Sequence, residues 1–374
     1  MEEYFKERRG YDFFDILPYQ YFNGQLSSKA RHDYWHTIAE RYCEAYSKTI
    51  GAWCEKAGLA YTGHFLQEDK MGLCTRVNGS IMPHYAAEGV PGIDMLTERT
   101  VEYMTVKQCT SVAHQLGKQR VLTETYGCTG WDFDFEGQKW VGDWQYVLGV
   151  NMRCTHMALS SLRGCRKRDY PPSLNYNNTW WNKNHVVEDY FARLGAVLTQ
   201  GEPIRDILLL HPMSTAWSRL GTNPYGNPLR RNERDVPQVD AYGYQFNQLI
   251  ERLCREHMDC DLGDEILLQQ NGWTRDGRIG IEKASYSTVV VPQMDTMFET
   301  TRQHLIAHLD QGGSVVMTAP LPFLVEGAVD ESGRLQELYS HPRLTVVQNE
   351  DELIEALERG GCRSCRFMGR DGKE

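Results

Sequence analysis

The sequence predicts an α/β protein: a partial (β/α)8 TIM barrel, its C-terminal half, followed by a flavodoxin-like doubly wound α/β domain. Three observations carry this expectation. Strand-like and helical runs alternate over residues 1–201, the pattern of parallel βα units. One of those strands, residues 119–123, ends on Glu124 and opens into LTETYGCTGWDFDFEGQKWVGD, a segment of glycines, acids and tryptophans such as barrels carry at their C-terminal rim. After Gly201-Glu202-Pro203, the runs IRDILLL, YSTVVVP and SVVMT begin a second alternation with buried parallel strands. The expected units are therefore a barrel domain over 1–201, a flavodoxin-like domain over 202–345 (amidotransferase-like by the resemblance given below), and a helical, frayed tail over 346–374.

Taken in order, residues 1–24 read as a short helix followed by a loop, punctuated by Gly10 and Pro18. Ser27 or Ser28 can cap a helix reaching about residue 56, because a hydroxyl there satisfies a free N–H of the first turn. Tyr34, Ile38, Tyr42, Tyr46 and Ile50 recur along it at helical spacing, with Trp53 beyond, so a barrel-covering helix with an aromatic inner face is expected. Residues 59–66 (LAYTGHFL) read as a buried strand with Glu68 and Asp69 just past its end. Residues 89–96 (GVPGIDML) form the second strand, 119–124 the third, and 151–159 (NMRCTHMAL) the fourth, which carries His156. Helices are expected over about 100–116, 137–148 and 186–198. Beyond Pro203, a loop rich in Asn, Gly and Pro runs to Val236 and a helix covers 239–258. Residues 266–268 and 278–281 read as a hairpin around Arg275-Asp276-Gly277, and helices follow at 300–309 and 351–358. Four βα units are half of an eight-fold barrel. The preferred reading is the C-terminal portion of a longer enzyme, with Glu124 on the seventh strand. The alternative is a homo-oligomer in which two copies close one barrel.

Composition narrows the class. The chain has 374 residues, 41% hydrophobic and 24% charged, ordinary for a globular protein. A formal net charge of -10 without an extended basic block argues against a nucleic-acid partner, and RGCRKR at 163–168 reads as a solvated or ion-paired loop. No apolar run reaches the ~18 residues of a membrane span, and no signal peptide is recognised. Eleven cysteines, an odd number without framework spacing, point to a reducing compartment and a cytoplasmic location. Cys362 and Cys365 form a CxxC with no second pair, a weak zinc signal. No GxSxG or GxGxxG follows a strand, which argues against a nucleophile elbow and a dinucleotide cofactor.

The remaining signal is acids at strand ends. Glu124 and Glu68 occupy similar positions on two strands and are the expected catalytic pair, general acid and base or nucleophile across a sugar-sized gap. The expected substrate-binding set is His64, Asp69, Tyr126, Trp131, Trp140 and His156. His64 shares strand parity with Glu68. His156 suits a sugar hydroxyl, and Trp131 an apolar sugar face. Trp140 suits either that role or a packed core. Metal ligands are not identified: Asp69, Asp94, Asp132, Asp134 and Asp143 offer hard oxygens for calcium but lack EF-hand spacing. The partner these residues suit is an oligosaccharide, polysaccharide or glycoside.

Four stretches carry a family resemblance: TGHFLQED (62–69), MPHY with PGID (82–94), LTETYGCTGWDF (122–133) and DYFARLGAVLTQGEPIRDILLLHP (189–212). They resemble bacterial glycosyl hydrolases related to glycoside hydrolase family 106, the α-L-rhamnosidases. The layout is also similar to family 42 β-galactosidases, whose barrel is followed by a flavodoxin-like domain. The resemblance implies a barrel with carboxylate catalysis, Glu124 first and Glu68 next, and a calcium-dependent, inverting enzyme with no residue assigned to either property. The competing expectation is a truncated, non-catalytic carbohydrate-binding protein that keeps the barrel rim.

Overall fold

The computed structural model describes residues 1–221, 235–365 and 368, and the chain is a mixed α/β protein. Its first sheet is parallel and runs in chain order: β1 (Thr62–Gly63), β2 (Val90–Met95), β3 (Leu122–Thr125) and β4 (Met152–Thr155). Helix Tyr103–Gln115 links β2 to β3, helix Phe135–Val147 links β3 to β4, and helix His185–Leu198 follows. The register sets Asp94 beside Glu124 and Glu124 beside Cys154. Asp134 starts the helix after β3, its carboxylate accepting the Gly137 N–H at 3.0 Å, which is why the acid-rich loop stops there.

The second sheet is also parallel. Its strands β5 (Ile207–Leu210), β6 (Cys260–Gly263), β7 (Thr288–Val291), β8 (Ser314–Thr318) and β9 (Leu344–Val347) stand in the order β9-β8-β7-β5-β6. Every residue of β5, β6 and β7 is buried, as continuous apolar runs in a sheet covered on both faces should be. One apolar core runs from Trp35 through both sheets to Leu357. A buried charge cluster crosses from one sheet to the other. Lys107, on the helix after β2, reaches Asp259 at 2.6 Å, and Arg205 bonds Asp259 at 2.9 Å and Asp261 at 2.7 Å. Tyr286 adds a hydrogen bond to Asp261 at 2.8 Å, and His114 a further contact to the same carboxylate.

Several expectations change. The loop expected after the first helix is itself a helix, Phe13–Tyr21, started by Asp12, whose carboxylate accepts the Phe14 N–H. The long helix forms as Ser27–Tyr42 and Thr49–Lys56, joined by a π-helical turn at Cys43–Lys48. Its aromatic stripe is not the inner face: Tyr46 and Trp53 are exposed, while Ala30, His32, Trp35, His36, Ala39 and Cys43 are buried. That face packs on helix Met213–Arg219, which lies in the loop expected to run to Val236; residues 222–234 of that loop fall outside the described residues. Residues 59–66 are not a buried strand. Only Thr62 and Gly63 pair, on one side, as a sheet edge, and Leu59 and Leu66 are exposed. Residues 266–268 lie in helix Glu265–Asn271, capped by Asp264, and the hairpin around Asp276 is made by Gly272–Arg275 with Arg278–Ile281. The boundary expected at 345 falls inside β9, which the sequence reading missed, and helix Glu350–Arg359 is docked through buried Leu353, Ile354 and Leu357.

Candidate active site

The C-terminal ends of β1 to β4 and their exit loops bring four polar side chains together. Glu124, on β3, accepts a hydrogen bond from His64, just past β1, with Nε2 3.0 Å from Oε2. His64 Nδ1 lies 3.9 Å from Asp94 Oδ2, and His156 Nε2, just past β4, lies 3.9 Å from Glu124 Oε1. One atom each from His64, Asp94 and Glu124 falls within 4.8 Å of the others, the only such potential cation-binding trio among the described residues. All three remain about a third exposed or less, 34%, 27% and 28% respectively, so the cluster faces solvent rather than the core.

Backbone geometry shapes this rim. Gln67, Thr97, Tyr126 and Cys128 all have positive φ, between 61° and 79°. Non-glycine residues pay ~1–3 kcal/mol for such conformations, and they concentrate where a chain must turn sharply at a site. The Thr97 N–H donates to the Gly127 carbonyl at 2.7 Å, tying the loops after β2 and β3. Gly127 itself passes close to His156: an added Cβ would lie 3.3 Å from its ring, so the position suits glycine.

Charge accumulates at Asp94. Burial raises its pKa first, the neighbouring Glu124 carboxylate raises it further, and His64 and His156 oppose both. Its Oδ1 and the His156 Nδ1 are buried and have no hydrogen-bond partner among the described residues. Such atoms are costly inside protein and are often satisfied by a bound group or water.

The expected pair of Glu124 and Glu68 does not form. Glu68 is 4% exposed and its carboxylate is used up by protein donors: the Phe65 N–H at 3.0 Å, the Tyr85 hydroxyl at 2.8 Å and the Asp94 N–H at 3.1 Å. Burial pushes its pKa up to about 8 against these three hydrogen bonds. The physical reason is the turn at 65–70, which folds the chain back under the rim instead of extending β1. Glu68 instead holds the end of β2 that presents Asp94. Tyr126 is also buried, its hydroxyl donating to the Gln138 carbonyl at 2.7 Å and receiving Arg153, so it supports the loop from below and does not face the groove. Asp69 is ion-paired with its neighbour Lys70.

His64 and His156 stand in the cluster as expected. Trp131 is 38% exposed and donates its indole N–H to the Lys167 carbonyl at 2.8 Å, which fixes its ring over the loop after β4. Trp140 is neither core nor rim: it is 64% exposed on the helix after β3, beside a separate hollow of about 390 Å3 that includes Asp132 and Asp134. Asp143 pairs with Lys139 and Tyr190. Asp94, read in the sequence only as a strand-end acid and a calcium oxygen donor, is the acid the structure adds to Glu124.

The comparisons with known proteins follow from this layout. A model of the glycoside hydrolase 106 family, described as alpha-L-rhamnosidase, matches residues 1–322. Among solved structures, the rhamnosidase of Novosphingobium sp. PP1Y matches with a TM-score of 0.67 and 17% identity, over 96% of this chain and 34% of that one. The apo exo-carrageenase of Bacteroides ovatus, assigned to family 42, matches with a TM-score of 0.60 and 13% identity, over 97% of this chain and 51% of that one. Likeness at these identities concerns the fold. A curated protein of Formosa agariphila named "Putative beta-glucuronidase" is 25% identical over 215 residues, 55% of this chain and 18% of that protein. This chain therefore spans about a third of the matched rhamnosidase and about a fifth of the curated relative. The family match, covering 322 of 374 residues, places this chain in glycoside hydrolase family 106.

Proposed function

We propose that this protein is a glycosidase acting on O-glycosidic bonds, with the ends of β1 to β4 as its sugar site and an α-L-rhamnoside as the leading substrate class. The observation that carries the proposal is the carboxylate of Glu124, held at 3.0 Å by His64 on a groove-facing rim, in a chain of this family. The four-stranded sheet is read as part of a (β/α)8 barrel wall, since barrels present reacting groups at their strands' C-terminal ends. The order of the second sheet, with its second strand outermost beside the first, is the order of flavodoxin-like domains, so the units proposed are 1–201 and a second that begins at 202 and runs through β9, with helix Glu350–Arg359 docked behind it.

In this reading Glu124 is the reacting carboxylate. His64 orients it through the 3.0 Å hydrogen bond, and Asp94 lies 3.9 Å from the other nitrogen of the imidazole. Asp94 is not the second catalytic acid. It stands in register with Glu124 on the adjacent strand, whereas the two carboxyl groups of a catalytic pair stand on either side of the sugar. Glu124 thus supplies one half of the acid–base work, and the opposing carboxyl comes from elsewhere around the groove. His156 is placed for a sugar hydroxyl and Trp131 for a sugar face.

Calcium takes six to eight oxygen ligands, and the cluster offers two carboxylates and one imidazole, a set closer to that of a first-row transition metal. The residues do not fit calcium, and no step is assigned to it. The test is turnover of aryl glycosides, α-L-rhamnoside, β-galactoside and β-glucuronide among them, by the parent and by Glu124→Gln. Loss of ~10^2-fold or more in kcat with an unchanged melting temperature is expected, since a partly exposed acid can lose its charge without unfolding the chain. Equal rates would remove Glu124 from the chemistry. Sugar binding without turnover in the parent would replace the enzyme by a carbohydrate-binding protein.

A further inference from the structure

We propose that the segment 163–169 is an anion-recognition subsite beside Glu124, which takes a sulfate-ester or carboxylate substituent on the sugar. The inference rests on the sugar-site reading above and names the substrate class as acidic glycans. Arg163, Arg166 and Arg168, with Cys165 and Asp169, line an open hollow of about 810 Å3. Lys167 adds a fourth cation in a chain whose net charge is -10. Many guanidinium groups in the structure meet carboxylates, among them Arg205 with Asp261, Arg219 with Asp295, and Arg302 with Glu299 and Glu337. The three here stand together and make no such pair among the described residues. Among the described residues, the side-chain hydrogen bond made by these three arginines is Arg168 Nη2 to Cys165 Sγ at 3.4 Å, and Asp169, in the same hollow, pairs with none of them. Three adjacent cations without counter-charges repel one another, which an anion would relieve. A guanidinium offers two parallel N–H donors that match a carboxylate or sulfate edge.

The hollow is joined to the site by short contacts. His156, 3.9 Å from Glu124, has Tyr170 beside it with ring centres 5.6 Å apart, and Tyr170 directly follows Asp169. Trp131 is tied to the Lys167 carbonyl, and the Gly130 N–H to the Pro171 carbonyl at 3.2 Å, so the loop after β3 and the arginine segment share one wall. Cys128, on that wall, feels both ends: after burial, the charges of Asp94 and of Asp169 push its thiol up. A sugar lying on Trp131 at Glu124 therefore has its substituents directed over Tyr170 toward the arginines.

The experiment is calorimetric binding to the Glu124→Gln protein, which reads affinity without turnover. The probes are oligosaccharides of one backbone in neutral, singly sulfated and uronate-bearing forms. At ~50 mM salt the anionic forms should bind about tenfold tighter or more than the neutral one, and the preference should shrink at ~500 mM salt, where exposed charges are screened. The better of the two anions identifies the source of the charge. The triple change Arg163→Gln, Arg166→Gln, Arg168→Gln should erase the preference without moving the melting temperature, because all three side chains are exposed, and the corresponding lysine triple should keep part of it. Equal affinity for neutral and anionic forms, or a preference that survives the glutamine triple, would overturn the subsite. So would an oligonucleotide binding as tightly as the sulfated sugar. Failure of the glycosidase reading would show separately, as absent aryl glycoside turnover by the parent.

Discussion

Replacing Glu68 with alanine tests whether this acid does chemistry or holds the rim in place. The side chain accepts from Phe65 N, Tyr85 Oη and Asp94 N, all inside the protein, and alanine leaves all three donors without a partner. Each orphaned buried donor costs ~1–3 kcal/mol, and water entering the vacated space recovers part of that, so a loss of about 3–5 kcal/mol is expected. At ~2 cal/mol/K of unfolding entropy per residue, cooperative unfolding of a chain this size converts that loss to a fall in Tm of about 4–6 °C. Glu68→Gln separates the two roles. Its amide oxygen can keep the Phe65 and Tyr85 donors, but its NH2 then faces the Asp94 N–H, donor against donor, so about 1–2 kcal/mol is lost and the end of β2 loosens. Calorimetry and aryl glycoside turnover measured on the same samples decide the matter. A positioning residue shows stability and rate falling together, in graded order from Gln to Ala. A Gln variant with the parent's Tm and a rate down by ~10^2 or more would mean that Glu68 is catalytic and that the buried geometry has been misread.

Two further outcomes follow from buried charge. Burial raises Glu68 to about 8 and Glu88 to about 9, so the folded state keeps protons that the unfolded chain gives up near pH 4–5. Their stabilisation is complete below that range, declines from there as pH climbs, and is lost by about 8 and 9. Burial also lowers His84 to about 4 and His211 to about 3; their stabilisation is complete above ~6.5 and declines as pH falls toward those values. Thermal unfolding across pH 4–10 should therefore show greatest stability near pH ~5–6, with a fall above pH ~6.5, and a maximum above pH 9 would contradict the assignment of the buried acids. Arg205→Ala should cost about 3–5 kcal/mol in urea unfolding, because it strips fully buried Asp261 of its guanidinium partner; a loss below ~1 kcal/mol would mean that the cluster is solvated.

The sequence exposes some of this site and conceals the rest for physical reasons. Glu124 is legible because it is the acid on a strand whose following segment is unmistakably loop. His64 and His156 are legible as polar residues of the expected strands 59–66 and 151–159, although β1 and β4 end one residue before each. Asp94 is visible as a strand-end acid, but only the register of β2 against β3 shows that it stands beside Glu124. Glu68 misleads because parity along a strand assumes that the strand continues, and here it stops at Gly63. Tyr126 misleads because an aromatic in a glycine-rich loop reads as a platform, whereas its positive φ turns the ring inward. In the second sheet the apolar runs are long enough to be read directly, but β9 (LTVV) is short, lies at a sheet edge and is partly exposed, so its pattern carries little signal. The aromatic stripe of helix Ser27–Tyr42 fails for a related reason: periodicity identifies a helix but cannot tell which face a neighbour will cover, and the covered face holds two histidines.

The charge cluster around Asp259 and Asp261 bears on how such a chain can be inherited. Lys107, on the sugar-site side, is 0% exposed, and its counter-charge arrives 152 residues later on the other sheet. A recombination event that delivered residues 1–201 to a new host gene would part this ammonium group from its anion and uncover the helix face that packs on β6. One that delivered the second sheet alone would leave Asp259 with Arg205 and no lysine. The two sheets are thus expected to travel through lineages as one heritable piece, and rearrangement should fall outside the pair instead of at the glycine–proline junction that most resembles a seam.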